Sequence, residues 1–226
     1  MKPRYDAFVQ EAKPPAREAK PTRRRAPAPA ERRADAERSR RKLLDAAREE
    51  FSAKGYAGAR VADIAARAGL NKQLISYYFG GKAGLYGAIQ QAWLDRETEI
   101  APPELPLAEL ITRYLHAGLA DPRAMRLMLW RALAADDTEQ PPPGPVQDPD
   151  EDLSRLRRRQ SDGELSPDLD PAAVLLVMMG AVTAPLILPG EVTRLTGLDP
   201  RSPEFETYYA EQLRRVMLHL AGTPTP

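Results

Sequence analysis

The sequence predicts an all-α fold, and three observations lead to that prediction. Apolar residues recur three and four positions apart along most of the chain, which is the period of an amphipathic helix. A capping residue followed by proline occurs four times past position 120, a pattern typical of helix starts. No stretch alternates apolar and polar residues as a half-buried strand does. We therefore expect helices throughout and no sheet.

Four short helices are predicted between about residues 40 and 95. Gly55 and Gly69 end the first two of them, because glycine readily adopts the backbone conformation that closes a helix. The apolar stripes of the four helices comprise Leu43, Leu44, Ala47 and Phe51; Val61, Ile64, Ala65 and Ala68; Ile75, Tyr78 and Phe79; and Leu85, Ile89 and Trp93.

The rest of the chain is predicted to form a second group of longer helices. Each capping residue with its proline marks one start, because the side chain accepts a backbone N–H and proline suits the first helical position. The pairs are Asp121-Pro122, Asp148-Pro149, Asp170-Pro171 and Ser202-Pro203. The predicted helices lie near 106–119, 122–136, 149–161, 171–188 and 203–221, with a shorter piece near 191–198 and a loop over 138–147.

Composition narrows the class of protein. The 226 residues include no cysteine, which excludes a disulfide framework, a thiol nucleophile and a Cys-ligated zinc site. The first residues lack the apolar core of a signal peptide. The longest apolar run, 172–188, falls short of the ~20 residues that span a bilayer. We expect a soluble, cytoplasmic protein that does not enter a membrane.

Charge is distributed unevenly along the chain. Residues 1–82 hold 20 Lys and Arg against 10 Asp and Glu, whereas residues 83–226 hold 13 against 22. Residues 1–35 are rich in Pro, Ala and Arg and poor in aliphatic side chains, and we predict that they form a disordered basic tail. The asymmetry indicates either a polyanion-binding module at the front of the chain or only a solvated basic tail.

The segment around Gly69 has the pattern of a helix-turn-helix. Ala65 is small where a second helix crosses closely, Gly69 makes the turn, and Ile75 is the buried aliphatic residue six positions later. Asn71 is a suitable N-cap for the second helix. The outer face of that helix carries Lys72, Gln73, Ser76 and Tyr77, groups that meet base edges and phosphates in a major groove. Leu74 either contacts a thymine methyl or covers the turn.

Residues 41–89 resemble the DNA-binding domain of TetR-family transcriptional regulators. The resemblance is carried by AAREEFSAKGYAGARVADIAARAGLNKQLISYYFGGKAGLYGAI, in which F-x-x-x-G-Y, D-I-A-x-x-A-G and Y-Y-F precede a lysine. It implies a helix-turn-helix domain over 36–90 and a helical effector-binding and dimerisation domain over 91–226. It also implies a sequence-specific, ligand-responsive homodimeric repressor rather than an enzyme, with a palindromic DNA operator as partner.

The resemblance assigns roles to eight residues of this domain. In that assignment Lys82, at the start of the fourth helix, contacts the DNA phosphates. Tyr78 either contacts the phosphates too or belongs to the core. Arg60 stands near the position where the family has Ser or Thr as a phosphate-binding cap. The groove-facing residues that the resemblance implies are Lys72, Gln73, Leu74, Ser76 and Tyr77.

The second half of the chain contains a candidate dimer interface and a candidate cavity. The helix near 171–188 is apolar around its whole circumference, so that it needs cover on all sides, and the helix near 203–221 is expected to join it in the interface. The alternative is a monomer with a central buried helix. The resemblance implies an effector cavity, for an unidentified small molecule, to which we assign Tyr114, Trp130 and Met178; an ordinary core is the alternative.

No catalytic residue, metal site or cofactor is predicted. The two histidines, His116 and His219, have no carboxylate or serine partner nearby in the sequence. Residues 148–152 begin like a calcium loop, but Leu153 replaces the glycine and Arg159 the glutamate that such a loop requires. The remaining alternative is a protein that binds nucleic acid nonspecifically through its basic tail.

Overall fold

The computed structural model describes residues 29–134, 139–144 and 149–221, and these contain ten α-helices and no β-strand. The predicted all-α fold is thereby confirmed. The helices are α1 (Pro29–Gly58), α2 (Val61–Ala68), α3 (Gln73–Phe79), α4 (Lys82–Ile100), α5 (Leu107–Ala120), α6 (Arg123–Leu133), α7 (Pro149–Ser161), α8 (Pro171–Ile187), α9 (Pro189–Thr196) and α10 (Pro203–Leu220).

Helix α1 begins earlier than the sequence pattern predicts. It starts at Pro29, so seven residues of the predicted tail 1–35 are helical. Alanine and long charged side chains favour a helix, and a helix already nucleated elsewhere extends at little cost. Residues 30–35 are all exposed, which is why no apolar stripe marks them. Residues 1–28 lie outside the described part of the chain, as do Asp148 and the predicted helical residues 135 and 136.

Helices α1 to α4 enclose a compact core. Side chains from all four helices are completely buried in it, including Phe51, Ile64, Ile75 and Leu85. The turn between α2 and α3 forms as predicted: Gly69 has a φ of 66°, and Leu70 donates its N–H to the carbonyl of Ala65. This pairing is the Schellman closure of a helix, and it aims the chain into α3.

Gly55 breaks α1 rather than ending it. Its φ of 70° and ψ of 179° are non-helical, and the chain resumes a helical course to Gly58. A Cβ at this position would lie 2.9 Å from Cε3 of Trp130 in α6. The Trp130 indole also donates a hydrogen bond to the Ser52 carbonyl at 3.1 Å. The glycine therefore provides both the turn and the space in which α6 packs against α1.

A second core lies among α5, α7, α8 and α10. It is formed mainly by aliphatic side chains, and α10 packs along α5. Two predicted caps form: Asp170 accepts the N–H of Ala173, and Ser202 accepts that of Phe205. At α6 the N-cap is Pro122 rather than Asp121, although Asp121 accepts the N–H of Arg123 at 3.2 Å.

A proline inside α8 is compensated by α10. Pro185 has no N–H to donate to Ala181, four residues earlier, so that carbonyl loses its helical partner. The Tyr209 hydroxyl of α10 donates to the Ala181 carbonyl at 2.9 Å instead. Burial of this hydroxyl raises the pKa of Tyr209 and keeps it a donor. The proline thus creates the acceptor that fastens the last helix to α8.

A buried carboxylate ties α1 to α2. Glu50 has a side chain only 5% exposed and forms ion pairs with Lys54 at 2.6 Å and with Arg67 at 2.9 Å. The hydrogen bond from Lys54 lowers the pKa of Glu50; burial opposes this, and Arg67 lowers the pKa further, so that the net shift is downward. Because Arg67 lies two residues before Gly69, this pair holds α2 in place immediately before the turn.

We expect Glu50→Gln to reduce the free energy of unfolding at pH 7. The folded-state pKa of Glu50 lies below the ordinary value of 4.5, so its ionised form stabilises the fold above that pH. This stabilisation is lost as the pH falls through the folded-state pKa. Urea unfolding at pH 7 and pH 3 should therefore show a difference between variant and parent that shrinks in acid.

Glu191→Gln is the matched control, because Glu191 forms an ion pair with Arg194 on the exposed surface of α9. Its free energy of unfolding should stay within about 0.5 kcal/mol of the parent at both pH values. An equal loss in the Glu50 variant at both pH values would contradict the assigned charge effect.

Candidate nucleic-acid interface and ligand cavity

One face of α3 projects polar side chains into solvent. Lys72, Gln73, Ser76 and Tyr77 are all exposed, and Tyr77 is 79% exposed although it is a large aromatic residue. The start of the helix is held by Asn71, whose side-chain oxygen accepts the N–H of Gln73 at 2.9 Å. The four side chains that the helical spacing groups together therefore do lie on one open surface.

Leu74 and Tyr78 differ from those four residues. Both are half-buried and pack against the N-terminal core, and the Tyr78 ring contacts the rings of Tyr77 and Phe79 with centroids 4.9 and 6.3 Å away. Leu74 thus buries part of its side chain against this core and leaves the rest exposed, which is compatible with both of its interpretations. The half-buried Tyr78 ring therefore packs against the exposed Tyr77 ring.

Arg60 lies at the N-terminus of α2 and is exposed. It makes no side-chain capping bond, since a guanidinium has only donors and cannot accept the free N–H groups of a helix start. Within the described ranges, neither Arg60 nor Lys72 has an ion-pair partner. Both positive charges are therefore open to an anion.

Lys82 begins α4 as predicted, but its ammonium group already has partners. Its Nζ lies 2.8 Å from Oε1 of Glu139, 3.4 Å from the carbonyl oxygen of Ala57 and 4.5 Å from the centre of the Tyr56 ring. The side chain is only 18% exposed. Among the described residues, Lys82 is the one of the eight assigned to the interface that pairs with a carboxylate from the second half of the chain.

A cavity of about 690 Å³ lies among α4, α5, α6, α7 and α8. Its walls are mostly apolar, with methionines on α6 and α8 and Trp93 on α4. Tyr114 and Met178 lie in these walls, as the sequence analysis expects. Other apolar lining residues are Ile89, Leu110, Met125, Met128, Leu175 and Val182.

The cavity wall also carries polar and charged side chains, including Arg131 of α6 and Arg155, Arg158 and Arg159 from the α7 side. The Tyr114 hydroxyl donates to Oε1 of Glu97 at 2.9 Å, and burial, reinforced by the charge of Glu97, raises the pKa of Tyr114. Gln90 has a buried side-chain oxygen with no hydrogen-bond partner among the described residues. The cavity therefore offers a molecule an amide oxygen without a hydrogen-bond partner in the described ranges, beside an apolar surface and several charged side chains.

Trp130 does not lie in the cavity wall, contrary to the assignment from sequence. Its indole rests on Gly55 and bonds to Ser52, so it joins α6 to α1. Gln90 and Glu97 also line the cavity and are not among the residues predicted from the sequence. Their spacing from Trp93, at i−3 and i+4 on α4, was the available signal, because such residues share one face of a helix.

Large apolar side chains on α8 and α10 face solvent. The composition of α8 is apolar all round, but only part of its surface is covered within the chain: Val174 and Met178 are buried, while Leu176 and Val177 are 69% and 57% exposed. On α10, Phe205 and Met217 are buried in the core. The other exposed apolar residues of the two helices are Met179, Ile187, Tyr208, Val216 and Leu218.

Neither a metal centre nor a single membrane-spanning helix is found in the described ranges. No group of three or more His, Asp or Glu side chains there is placed to hold a metal ion. No single helix of that part is long and apolar enough to cross a membrane. Helices α8 and α9 taken together are long and apolar enough, but a bend of 91° separates them.

Comparison with known proteins gives matches to both halves of the chain. Residues 43–89 match the family described as bacterial regulatory proteins, tetR family. Residues 106–215 match the tetracyclin repressor-like C-terminal domain. These two regions correspond to α1–α4 and α5–α10.

Two curated relatives match over part of their length. The HTH-type transcriptional repressor SCO4008 of Streptomyces coelicolor is 33% identical over 108 residues, which cover 47% of this chain and 56% of the relative. The HTH-type transcriptional repressor NicS of Pseudomonas putida is 36% identical over 84 residues, covering 34% of this chain and 40% of the relative. The chain thus spans about half the length, or less, of these relatives.

Solved structures match over more of the chain. The structure of SCO4942 from Streptomyces coelicolor has a TM-score of 0.64 at 25% identity and covers 83% of this chain and 99% of its own. A structure concerned with the control of antibiotic production by a bacterial hormone has a TM-score of 0.51 at 26% identity, covering 79% and 94%. With a helix-turn-helix in front of a helical cavity domain and both halves matched, the chain belongs to the TetR family of bacterial regulatory proteins.

Proposed function

We propose that this protein is a sequence-specific DNA-binding transcriptional repressor that acts as a homodimer and responds to a small molecule. The observation that carries the proposal is the open polar face of α3, directly after a helix-turn-helix turn closed by Gly69. Both curated relatives are named as transcriptional repressors, and their matches support the same role here.

The exposed groups divide naturally between bases and phosphates. Gln73, Ser76 and Tyr77 are neutral donors and acceptors on the face of α3, and these suit the edges of base pairs. Lys72 and Arg60, at the starts of α3 and α2, are exposed and have no ion-pair partner in the part of the chain that the structure describes, and such charges suit phosphates. Leu74, Tyr78 and Lys82 complete the proposed contact surface.

Replacing Tyr77 with Ala should raise the dissociation constant for the operator about tenfold or more, because a groove contact contributes about 1–3 kcal/mol. The operator is first obtained by selecting genomic fragments with the purified protein at moderate salt. Binding is then measured by fluorescence anisotropy. The melting temperature should not change, since Tyr77 is 79% exposed.

Leu133→Ala is the matched control, because Leu133 is 78% exposed on α6, outside the proposed surface. It should bind the operator as the parent does. Selection of random fragments by the parent, with no effect of Tyr77→Ala, would instead favour nonspecific binding through the basic tail.

The exposed apolar surface of α8 and α10 supports a dimer through these two helices. Leu176 and Val177 would be buried between two copies of the chain, and Gly180 leaves open space for a close approach. Two recognition helices related by a two-fold axis read the two halves of a palindrome.

Leu176→Asp should convert the dimer to a monomer, with a dimer dissociation constant raised at least about a hundredfold, because burying an unpaired carboxylate costs several kcal/mol. Sedimentation velocity measures this directly. Leu133→Asp, which introduces the same charge on α6, should leave the dimer intact. A monomeric parent protein, or a dimer that Leu176→Asp does not weaken, would refute this interface.

The cavity is proposed to hold a mostly apolar molecule with a polar group that bonds to Gln90. The flexible methionine walls suit an apolar body, and the free amide oxygen suits a donor such as a hydroxyl or an amide N–H. The structural relative concerned with a bacterial hormone supports a small-molecule signal in general.

The dye 1-anilinonaphthalene-8-sulfonate, an aromatic body with one anionic sulfonate, should bind in this cavity and gain fluorescence. Val182→Phe places extra volume in the cavity wall and should weaken dye binding about fivefold or more. Leu195→Phe makes a similar addition at a 70% exposed site of α9 and should not weaken it. Equal binding to the two variants would mean that the dye binds elsewhere.

Helix α4 offers a direct path from the cavity to the DNA. Its first residue is Lys82, and its later residues Ile89, Trp93 and Glu97 line the cavity. Suppose that α4 can adopt two placements and that the ligand has a higher affinity for one of them. Binding would then favour that placement and change the separation of the two α3 helices in a dimer.

A further inference from the structure

We infer that Glu139 occupies, within the same chain, the anion site on Lys82 that a DNA phosphate would use, and so lowers the affinity of this protein for DNA. The inference rests on the proposed function, in which Lys82 contacts the DNA backbone. It adds a competitor that lies 57 residues away in the sequence, in the connection between α6 and α7.

The Lys82 ammonium has three close neighbours in this structure. It lies 2.8 Å from the Glu139 carboxylate and 3.4 Å from the Ala57 carbonyl, with the Tyr56 ring 4.5 Å away. The Glu139 carboxylate neutralises the positive charge of Lys82, and only 18% of the Lys82 side chain remains exposed. The site sits at the N-terminus of the 19-residue helix α4, where the helix dipole also favours an anion.

A phosphate and the Glu139 carboxylate cannot share this site at low cost. Both are anions that accept hydrogen bonds from the same ammonium. When both are bound to it, their negative charges lie close together and repel each other. DNA that contacts Lys82 must therefore displace Glu139. The Glu139 side chain is 54% exposed, so it can leave the site for solvent without losing a buried position.

The segment that carries Glu139 also reaches the cavity. Gly144 packs so closely against two cavity-lining side chains that a Cβ there would lie 2.8 Å from Nη1 of Arg131 and 3.0 Å from Nε2 of Gln90. The competing anion therefore belongs to a stretch of six described residues, 139–144, whose other end contacts the wall of the proposed ligand site.

A double-mutant cycle on the full-length protein tests the competition. Glu139→Gln should lower the operator dissociation constant about two- to fivefold for each bound protomer, the factor that a partly exposed ion pair supplies. Lys82→Ala should raise that constant. In the Lys82→Ala background, Glu139→Gln should have no further effect, because the competitor then has nothing to occupy.

Glu191→Gln controls for the general effect of removing a negative charge near DNA. It makes the same chemical change on α9, where Glu191 pairs with Arg194, and should leave the dissociation constant unchanged. A gain of equal size in Glu191→Gln, or a gain that persists without Lys82, would overturn the inference, as would an unchanged constant in Glu139→Gln.

A second measurement works without any DNA. Lysine acetylation with acetic anhydride, followed by mass spectrometry, should show slow labelling of Lys82 in the parent and at least about threefold faster labelling in Glu139→Gln. The exposed Lys72 should react equally in both. Identical labelling of Lys82 in the two proteins would overturn the inference even if no operator is found, whereas absence of an operator alone refutes only the proposed function.

Discussion

The shared helix α4 is the constraint on which the rest of the structure depends. Leu85 and Ile89 bury its first turns in the N-terminal core, and Trp93 and Glu97 place its later turns in the cavity wall. A helix bends reluctantly, because each bend lengthens or breaks backbone hydrogen bonds. Helix α4 therefore belongs both to the N-terminal core and to the cavity wall, and it joins the two halves of the chain.

Contacts beside α4 reinforce this dependence. The Trp130 indole rests on Gly55, and Arg123 of α6 bonds to Glu49 of α1 at 2.7 Å while its other nitrogens bond to Asp121. Helix α6 thus contacts α1 at both ends of its own length. Any shift of α6 by a molecule in the cavity would meet α1 directly, in addition to the route along α4.

The sequence allowed prediction of those features that depend on neighbours along the chain. Helix periods, the Gly69 turn and the caps at Asp170 and Ser202 follow from local chemistry, and so does the exposed face of α3. Pairings between distant residues have no local signal. Trp130 was assigned to the cavity because its residue type suits either place, and only the fold brings it to Gly55. The hydrogen bond from Tyr209 to Ala181 and the ion pair of Glu139 with Lys82 could not be predicted from the sequence for the same reason.

The two tryptophans, Trp93 and Trp130, lie at two different places that connect the cavity region with the N-terminal core. Trp93 lines the cavity, and Trp130 lies at the junction of α6 with α1. Indole emission depends on the polarity and the hydrogen bonding of its surroundings. The chain therefore carries two native spectroscopic reporters, and removing either one leaves a signal that distinguishes filling of the cavity from movement of the junction.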